Sequence, residues 1–317
     1  MKWIFSLLAF VAVQVVSGSP TPTLVKRASV DDIATVGFAT LNGGTSGGSG
    51  GTTTTVTTLD ALTSAVTGDS KKIVIISGTI TGDTVVKIGS NTSVLGASGA
   101  TLVGVGLRVL NEANVIIRNV KIQKVLASAG DAIGIQASSQ VWVDHVELSS
   151  DRDHDKDYYD GLLDITHGCT GVTVTNSYLH DHWKASLIGH SDNNGAQDVA
   201  ITVTMANNYW YNLNSRTPSF RFGTGHIFNN YFLDNNDGIN TRDGAQLLVE
   251  NNVFSGVDKP LYDTDTGYAV ANGNDFGDGS NTAPTGTFTS PPYSYSLIAT
   301  SSVESSVLAN AGAILSF

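Results

Sequence analysis

Short runs of β-branched and aromatic residues, each bounded by turn formers, recur through most of this chain. Ile73-Val74-Ile75-Ile76, Val115-Ile116-Ile117, Val141-Trp142-Val143, Val172-Thr173-Val174 and Ile201-Thr202-Val203-Thr204 stand between Gly, Asn, Asp and Ser residues. Apolar runs this short, with such boundaries, predict strands rather than helices. Glycine totals 34, and Thr, Ser, Asn and Val are plentiful. Beyond the N-terminus, the best helical segment lies around Leu59 to Val66, following Thr58.

The strand runs also share an ending. Ile117-Arg118-Asn119-Val120, Val143-Asp144-His145-Val146 and Thr175-Asn176-Ser177-Tyr178 are followed by Ala206-Asn207-Asn208-Tyr209, Phe228-Asn229-Asn230-Tyr231 and Glu250-Asn251-Asn252-Val253. The third members fall at 119, 145, 177, 208, 230 and 252, so the gaps are 26, 32, 31, 22 and 22. Periods in this range define a solenoid, and short strands make it a β-solenoid. The expected fold is therefore all-β, a right-handed, single-stranded parallel β-helix, in preference to a β-sandwich with chance Asn-Asn pairs. An Asn at the same bend of successive coils can hydrogen-bond along the stack. The longer gaps mark loops inserted at one bend, Ser150 to Asp160 and Gly189 to Gln197, and such loops are where function is built.

The N-terminus changes the domain picture. Lys2 precedes an apolar stretch from Ile4 to Val16, and small residues follow at Val16-Ser17-Gly18. This is the pattern of a secretory signal peptide, too short to span a bilayer comfortably. Lys26-Arg27 then forms a dibasic pair suited to propeptide removal. The expected organisation is a signal peptide over 1–18, a short propeptide over 19–27 and one catalytic domain over 28–317. The mature protein is expected to be secreted, free of the membrane and monomeric.

Removing residues 1–27 takes three basic residues and no acid, which moves the formal charge from −11 to −14. So acidic a chain lacks the basic footprint that nucleic-acid binding needs. Cys169 is the one cysteine, so no intrachain disulfide forms, and a lone thiol in an apolar setting reads as a small core residue. Asn91-Thr92-Ser93 is a glycosylation sequon, which places Asn91 at the surface if used.

Asp131, Asp160 and Asp164 stand before or within short β segments on neighbouring coils. Asp160 and Asp164 are four residues apart in an extended stretch, which keeps them on one side. Such carboxylates repel one another unless a cation joins them, and Ca²⁺ takes oxygen ligands in flexible geometry. The loop from Asp151 to Asp157 resembles the start of an EF-hand, but Lys156 stands where Gly is required, so it reads as a solvated charged loop. Lys184, Arg216 and Arg221 are cations that together could hold a substrate carboxylate and steady an enolate. The glycine-rich stretch from Gly43 to Gly51 lacks the Lys of a phosphate loop. His180 and His182 alternate on one predicted strand but lack a further zinc ligand.

Val141-Trp142-Val143-Asp144-His145 resembles a signature of the pectate lyase superfamily, and Arg216-Thr217-Pro218-Ser219-Phe220-Arg221 resembles its Arg-x-Pro-x-x-Arg signature. The similarity, to secreted fungal pectate lyases, runs from about Phe38 to Asn252. It implies β-eliminative cleavage of polygalacturonate, or de-esterified pectin, with Ca²⁺ as cofactor. By the same resemblance Asp131, Asp160 and Asp164 match calcium ligands, Arg216 the catalytic arginine, and Lys184 and Arg221 residues that contact the uronate chain. Asp144 and His145 match a structural hydrogen-bonding pair near the site. Ala129 stands where some relatives carry a further ligand Asp, which implies weaker calcium binding or binding completed by substrate. The alternatives are a calcium-independent pectin lyase, a polygalacturonase working through two carboxylates, and a non-catalytic carbohydrate-binding β-helix.

Overall fold

The structure, a computed structural model, describes residues 26–317. The expected signal peptide and all but the end of the expected propeptide lie outside them. The strands predicted from the pattern are present, and they stack as a parallel β-helix. Ten of them form one broad sheet: Thr52–Val56, Lys72–Ile76, Thr92–Gly96, Ala113–Arg118, Ser139–Asp144, Thr170–Thr175, Thr202–Ala206, Thr224–Phe228, Gln246–Glu250 and Tyr268–Asn272, in that order. Every neighbouring pair is parallel, for example Val141 beside Val172 and Val115.

Two further ladders meet at the long strand Thr101–Leu110. The second ladder runs through Lys121–Gln123, Glu147–Ser149, Tyr178–Lys184, Tyr209–Ser215, Tyr231–Leu233 and Val253–Ser255. The third runs through Ile133–Gln136, Leu163–Thr166, Leu187–Ile188, Ser219–Arg221, Ile239–Arg242 and Leu261–Thr264. Each coil thus visits the broad sheet, the second ladder and the third ladder in turn. Alternate side chains point inward, so Val141, Val143, Leu148, Leu163 and Ile165 are fully buried in one continuous core. Within it Trp210, Phe232 and Phe254 stack at 5.7 and 4.5 Å between ring centroids.

The bend after the broad sheet explains the repeated Asn. Asn119, His145, Asn176, Asn207, Asn229 and Asn251 occupy it with φ of 48 to 58°. This is the left-handed region, which Asn tolerates better than most residues. The recurring ending is therefore out of step by one residue in the first two coils: Asn119 and His145 correspond to Asn176, and Val120 and Val146 to Ser177. The next position carries the expected stack. The amide of Asn208 donates to Asn230 at 3.0 Å, Asn230 to Asn252 at 2.8 Å and Asn252 to Asn274 at 2.9 Å. Each acceptor oxygen also takes the backbone N–H of the preceding Asn. Buried polar groups are thereby satisfied within the repeat itself.

The helix Leu59–Ala65 forms where expected, with Thr58 accepting from the Ala61 N–H at 3.3 Å. A second, unexpected helix, Thr300–Asn310, lays Val303 and Val307 against Tyr231 on the outside of the second ladder. The chain ends also meet: Lys26–Arg27 pairs in parallel with Leu315–Ser316. Cys169 is a core residue, its thiol pushed up to about 11 by burial. Asn91 is half-buried, its amide donating to Asp69 O and accepting from Asn114.

The two long loops do not share one bend. Residues 150–160 join the second ladder to the third, and residues 189–197 lead from the third ladder to the broad sheet. Between them they flank the third ladder.

Candidate active site

The third ladder and the bend just before it carry the chemistry. Asp131, Asp160, Lys184 and Arg216 each sit two or three residues ahead of their strand, on successive coils. Backbone bonds hold these bends in register: Ala132 N–H donates to Gly161 O at 3.0 Å, Leu162 N–H to Ala185 O at 2.9 Å and Ser186 N–H to Arg216 O at 2.7 Å. Asp164 lies within the ladder, opposite Gly134, which in turn lies opposite Arg108.

Asp131 and Asp164 converge on Gly161. A Cβ placed on that glycine would stand 2.5 Å from Asp164 Oδ1 and 2.9 Å from Asp131 Oδ1. Any side chain there would collide with both carboxylates. Asp131 Oδ1 accepts from Gly161 N–H at 3.1 Å, and Asp164 Oδ1 from Leu187 N–H at 2.9 Å. Burial, with the nearby Asp160 charge, raises the Asp131 carboxyl to about 6. Burial and the Asp131 charge raise that of Asp164 well above the carboxylate range. Two buried carboxylates that resist ionising together suit a hard cation with oxygen ligands.

Asp160 stands apart from that pair. It turns to Lys184, whose Nζ lies 3.3 Å from Asp160 Oδ1 and 3.1 Å from Asp157 Oδ1. Among the described residues, no three His, Cys, Asp or Glu side chains are gathered tightly enough to close a metal shell by themselves. Two carboxylates therefore converge on Gly161, and a third lies within the same bend but is paired elsewhere.

Arg221 Nε lies 2.6 Å from Asp192 Oδ1 and 3.5 Å from Asp243 Oδ2. On the next coil Arg242, which stands opposite Arg221, reaches the same Asp192 at 3.3 Å and Asp265 at 3.0 Å. Arg216 is half-exposed and, alone among Lys184, Arg216, Arg221 and Arg242, makes no ion pair with a described residue.

Sequence reasoning missed several participants. Arg108 lies against Gly130 and Gly134 and lowers the Asp131 carboxyl through its charge. Arg242, Asp157 and Asp192 complete the ion pairs just described. The loop read as merely solvated is organised. Asp151 accepts from Tyr159 OH at 3.0 Å and pairs with His154, and Arg152 covers the Trp183 ring at 4.8 Å. His180 and His182 do not share one side of their strand. Asp181 between them has φ 51°, which turns His182 inward. There burial pushes its imidazole down to about 4, and it contacts Ser150 Oγ and Asp160 O.

Asp144 and His145 form a buried hydrogen-bonded pair, but away from the residues above rather than near them as expected. They lie on the broad sheet and its bend, and share no hydrogen bond with the carboxylates or cations above. Fully buried Asp144 accepts from Arg118 Nε at 2.6 Å, Thr175 Oγ1 at 2.7 Å and Asn176 Nδ2 at 2.9 Å, and contacts His145 Nδ1 at 2.7 Å. Burial alone would raise this carboxyl, but the His145 and Arg118 contacts win and bring it down to about 2. Asp144→Asn should cost ~3 kcal/mol of stability, since it takes the buried carboxylate from Arg118 and leaves that sheltered guanidinium with only the partly exposed Asp32 at 2.8 Å. The ionised Asp144 stabilises the fold fully above the ordinary carboxylate pKa of 3.8, and less as pH falls toward 2. The deficit of the variant in denaturant unfolding should accordingly be largest at neutral pH and shrink in acid. Equal deficits at pH 7 and pH 2.5 would show that the charge does not matter.

A row of cations thus lies beside converging carboxylates on the flank of a parallel β-helix. A profile of the family described as pectate lyase matches residues 5–315. Pectate lyase A of Aspergillus niger is 59% identical over 321 residues, covering 100% of this chain and 99% of the relative. A probable pectate lyase A of Aspergillus oryzae is 60% identical over 303 residues, 94% of each chain. A pectate lyase from Bacillus sp. N165, solved in complex with trigalacturonate, superimposes with a TM-score of 0.81 at 32% identity, over 89% of this chain and 99% of that one. The chain belongs to the pectate lyase family.

Proposed function

We propose that this lyase cleaves polygalacturonate at a calcium-assisted site. In this reading Asp131, Asp160 and Asp164 hold the ion, Lys184 and Arg221 hold uronates, and Arg216 accepts the proton. The observation that carries it is the contrast within one row of cations: Arg216 alone has no carboxylate partner among the described residues, and it stands two coils beyond the carboxylates around Gly161, with Lys184 on the coil between.

β-Elimination breaks the C5–H and C4–O4 bonds and forms the C4=C5 double bond. The neutral guanidine form of Arg216 would take the C5 proton and become guanidinium. The electron pair leaves with O4, which is protonated by water. Lys184 and Arg221 would orient the uronate chain and steady the negative charge that builds on the carboxylate beside C5. A bound calcium ion would add Lewis-acid polarisation of that same carboxylate. The donor set fits such an ion, since two of three candidate ligands converge and their carboxyls are raised by burial and by neighbouring carboxylate charge. With Ala129 in place of a further acid, the substrate carboxylate would complete the shell.

Asp164→Asn tests the ligand assignment. It should raise the calcium concentration for half-maximal rate by roughly tenfold, since ligand charge tunes calcium affinity. The ultraviolet absorbance of the unsaturated product, followed across a calcium titration, reads this directly. An unchanged titration would remove Asp164 from the ligand set.

Secretion belongs to the same proposal, with a signal peptide over 1–18 and a cut after Arg27. Such a cut would leave the Ala28 nitrogen that donates to Ser316 O at 2.9 Å. No helix among the described residues is long and apolar enough to cross a membrane.

A further inference from the structure

The ion pairs along the third ladder are more lopsided than those of the Arg118 node, where the outer partner Asp32 is 40% exposed. In the structural pair between Arg118 and Asp144 both side chains are buried, 10% and 1% exposed. Along the third ladder the cations are equally sheltered, Lys184 at 14% and Arg221 at 12%, but two of their partners stand in solvent: Asp157 at 68% and Asp192 at 64%. Both of these acids come from the long loops, Asp157 from 150–160 and Asp192 from 189–197.

A sheltered cation left unpaired is costly, whereas an exposed carboxylate on a loop loses little by turning into water. Each cation also keeps a second acid when the first departs. Lys184 has Asp160 at 3.3 Å, which it would share with a bound calcium ion, Arg221 has Asp243 at 3.5 Å and Arg242 has Asp265 at 3.0 Å. The exposed member of each set is thus free to leave without stranding a charge.

We propose that Asp157 and Asp192 are positioning residues that stand in for substrate uronates, pairing with Lys184 and with Arg221 and Arg242 until the polysaccharide displaces them. This rests on the reading of Lys184 and Arg221 as uronate contacts. Binding then exchanges one carboxylate for another. The cations stay oriented in the free enzyme, and a sugar without a free carboxylate has nothing to offer in the exchange. The two loops that flank the ladder contribute one such acid each, so both sides of the ladder are prepared in the same way.

The test is a set of single variants assayed on polygalacturonate at saturating calcium. Asp192→Asn removes the competitor while keeping its size. It should lower KM by about two- to fivefold at low salt, in keeping with the modest strength of an exposed ion pair, and leave kcat within about twofold. Asp157→Asn should do the same through Lys184. Added salt should shrink the gain, because the competition is electrostatic. If the two acids instead serve only to hold the cations in place, KM should stay the same or rise, and the proposal fails. Arg221→Ala separates this from failure of the underlying reading. A raised KM keeps Arg221 as a uronate contact whatever Asp192 does, whereas an unchanged KM would remove that reading and the proposal with it. Thermal unfolding of both Asn variants should match the parent within about 2 °C, as expected for surface substitutions.

Discussion

Arg216→Lys should lose about 10³-fold in kcat, with KM and thermal stability close to those of the parent. Lys retains the positive charge but replaces a planar guanidinium by a shorter, compact ammonium, which cannot reach the same point with the same geometry. A thousandfold loss corresponds to about 4 kcal/mol of transition-state stabilisation. If Arg216 acts only in the chemical step, that loss falls on kcat. The Arg216 backbone has φ 60° and its carbonyl accepts from Ser186, so a purely structural role is a concrete alternative. It would show as a lowered unfolding midpoint that tracks the lost activity. Steady-state kinetics and thermal unfolding on one preparation distinguish the two, and near-normal kcat would take Arg216 out of the proton transfer.

Chelation should abolish activity while leaving the fold intact. Asp131 and Asp164 crowd around Gly161, and neither has an ion pair with a described residue. The coils themselves are held by a continuous apolar core and the Asn stack, which owe nothing to a metal. After EDTA treatment, product formation should fall to background and the far-ultraviolet circular dichroism should not change. Re-added calcium should restore the rate. Full activity in EDTA would overturn the calcium assignment and favour a site that works through protein cations alone.

Much of the architecture is legible in the chain because the solenoid repeats its physics. Runs such as Val141-Trp142-Val143 announce strands, and the recurring Asn announces a bend repeated from coil to coil. The register slips where other residues take the role: His145 fills the left-handed bend, and Ser177 begins the buried row that Asn208 continues. The residues of the two matched signatures stand out, as do Asp131, Asp160 and Asp164. Their partners do not, because a pair such as Asp192 with Arg221 forms between loops and coils far apart in sequence. Arg108 left a usable trace. Leu107-Arg108-Val109, Ile133-Gly134-Ile135 and Leu163-Asp164-Ile165 share one apolar frame, and stacking them puts Arg108 in line with Asp164. The Asp144–His145 pair shows the opposite hazard: a strong motif marks a buried hydrogen-bonded node on another face, because a signature records what must be kept, whether for folding or for catalysis.

A solenoid is open-ended, and its terminal coils can in principle fray one at a time, since each touches only its neighbours. Here the tail after the last coil doubles back along the outside. Gly312 N–H bonds to Asn176 O at 2.8 Å, Leu315 N–H to Asn119 Oδ1 at 2.8 Å, and Ser316 closes on the start of the described chain. This strap ties residues 312–316 to coils between about 140 and 200 residues earlier in the chain, so segments far apart in sequence are fastened together. Partial unravelling from the C-terminal end must first release it, which makes the stack more cooperative than its repeat-by-repeat contacts would suggest.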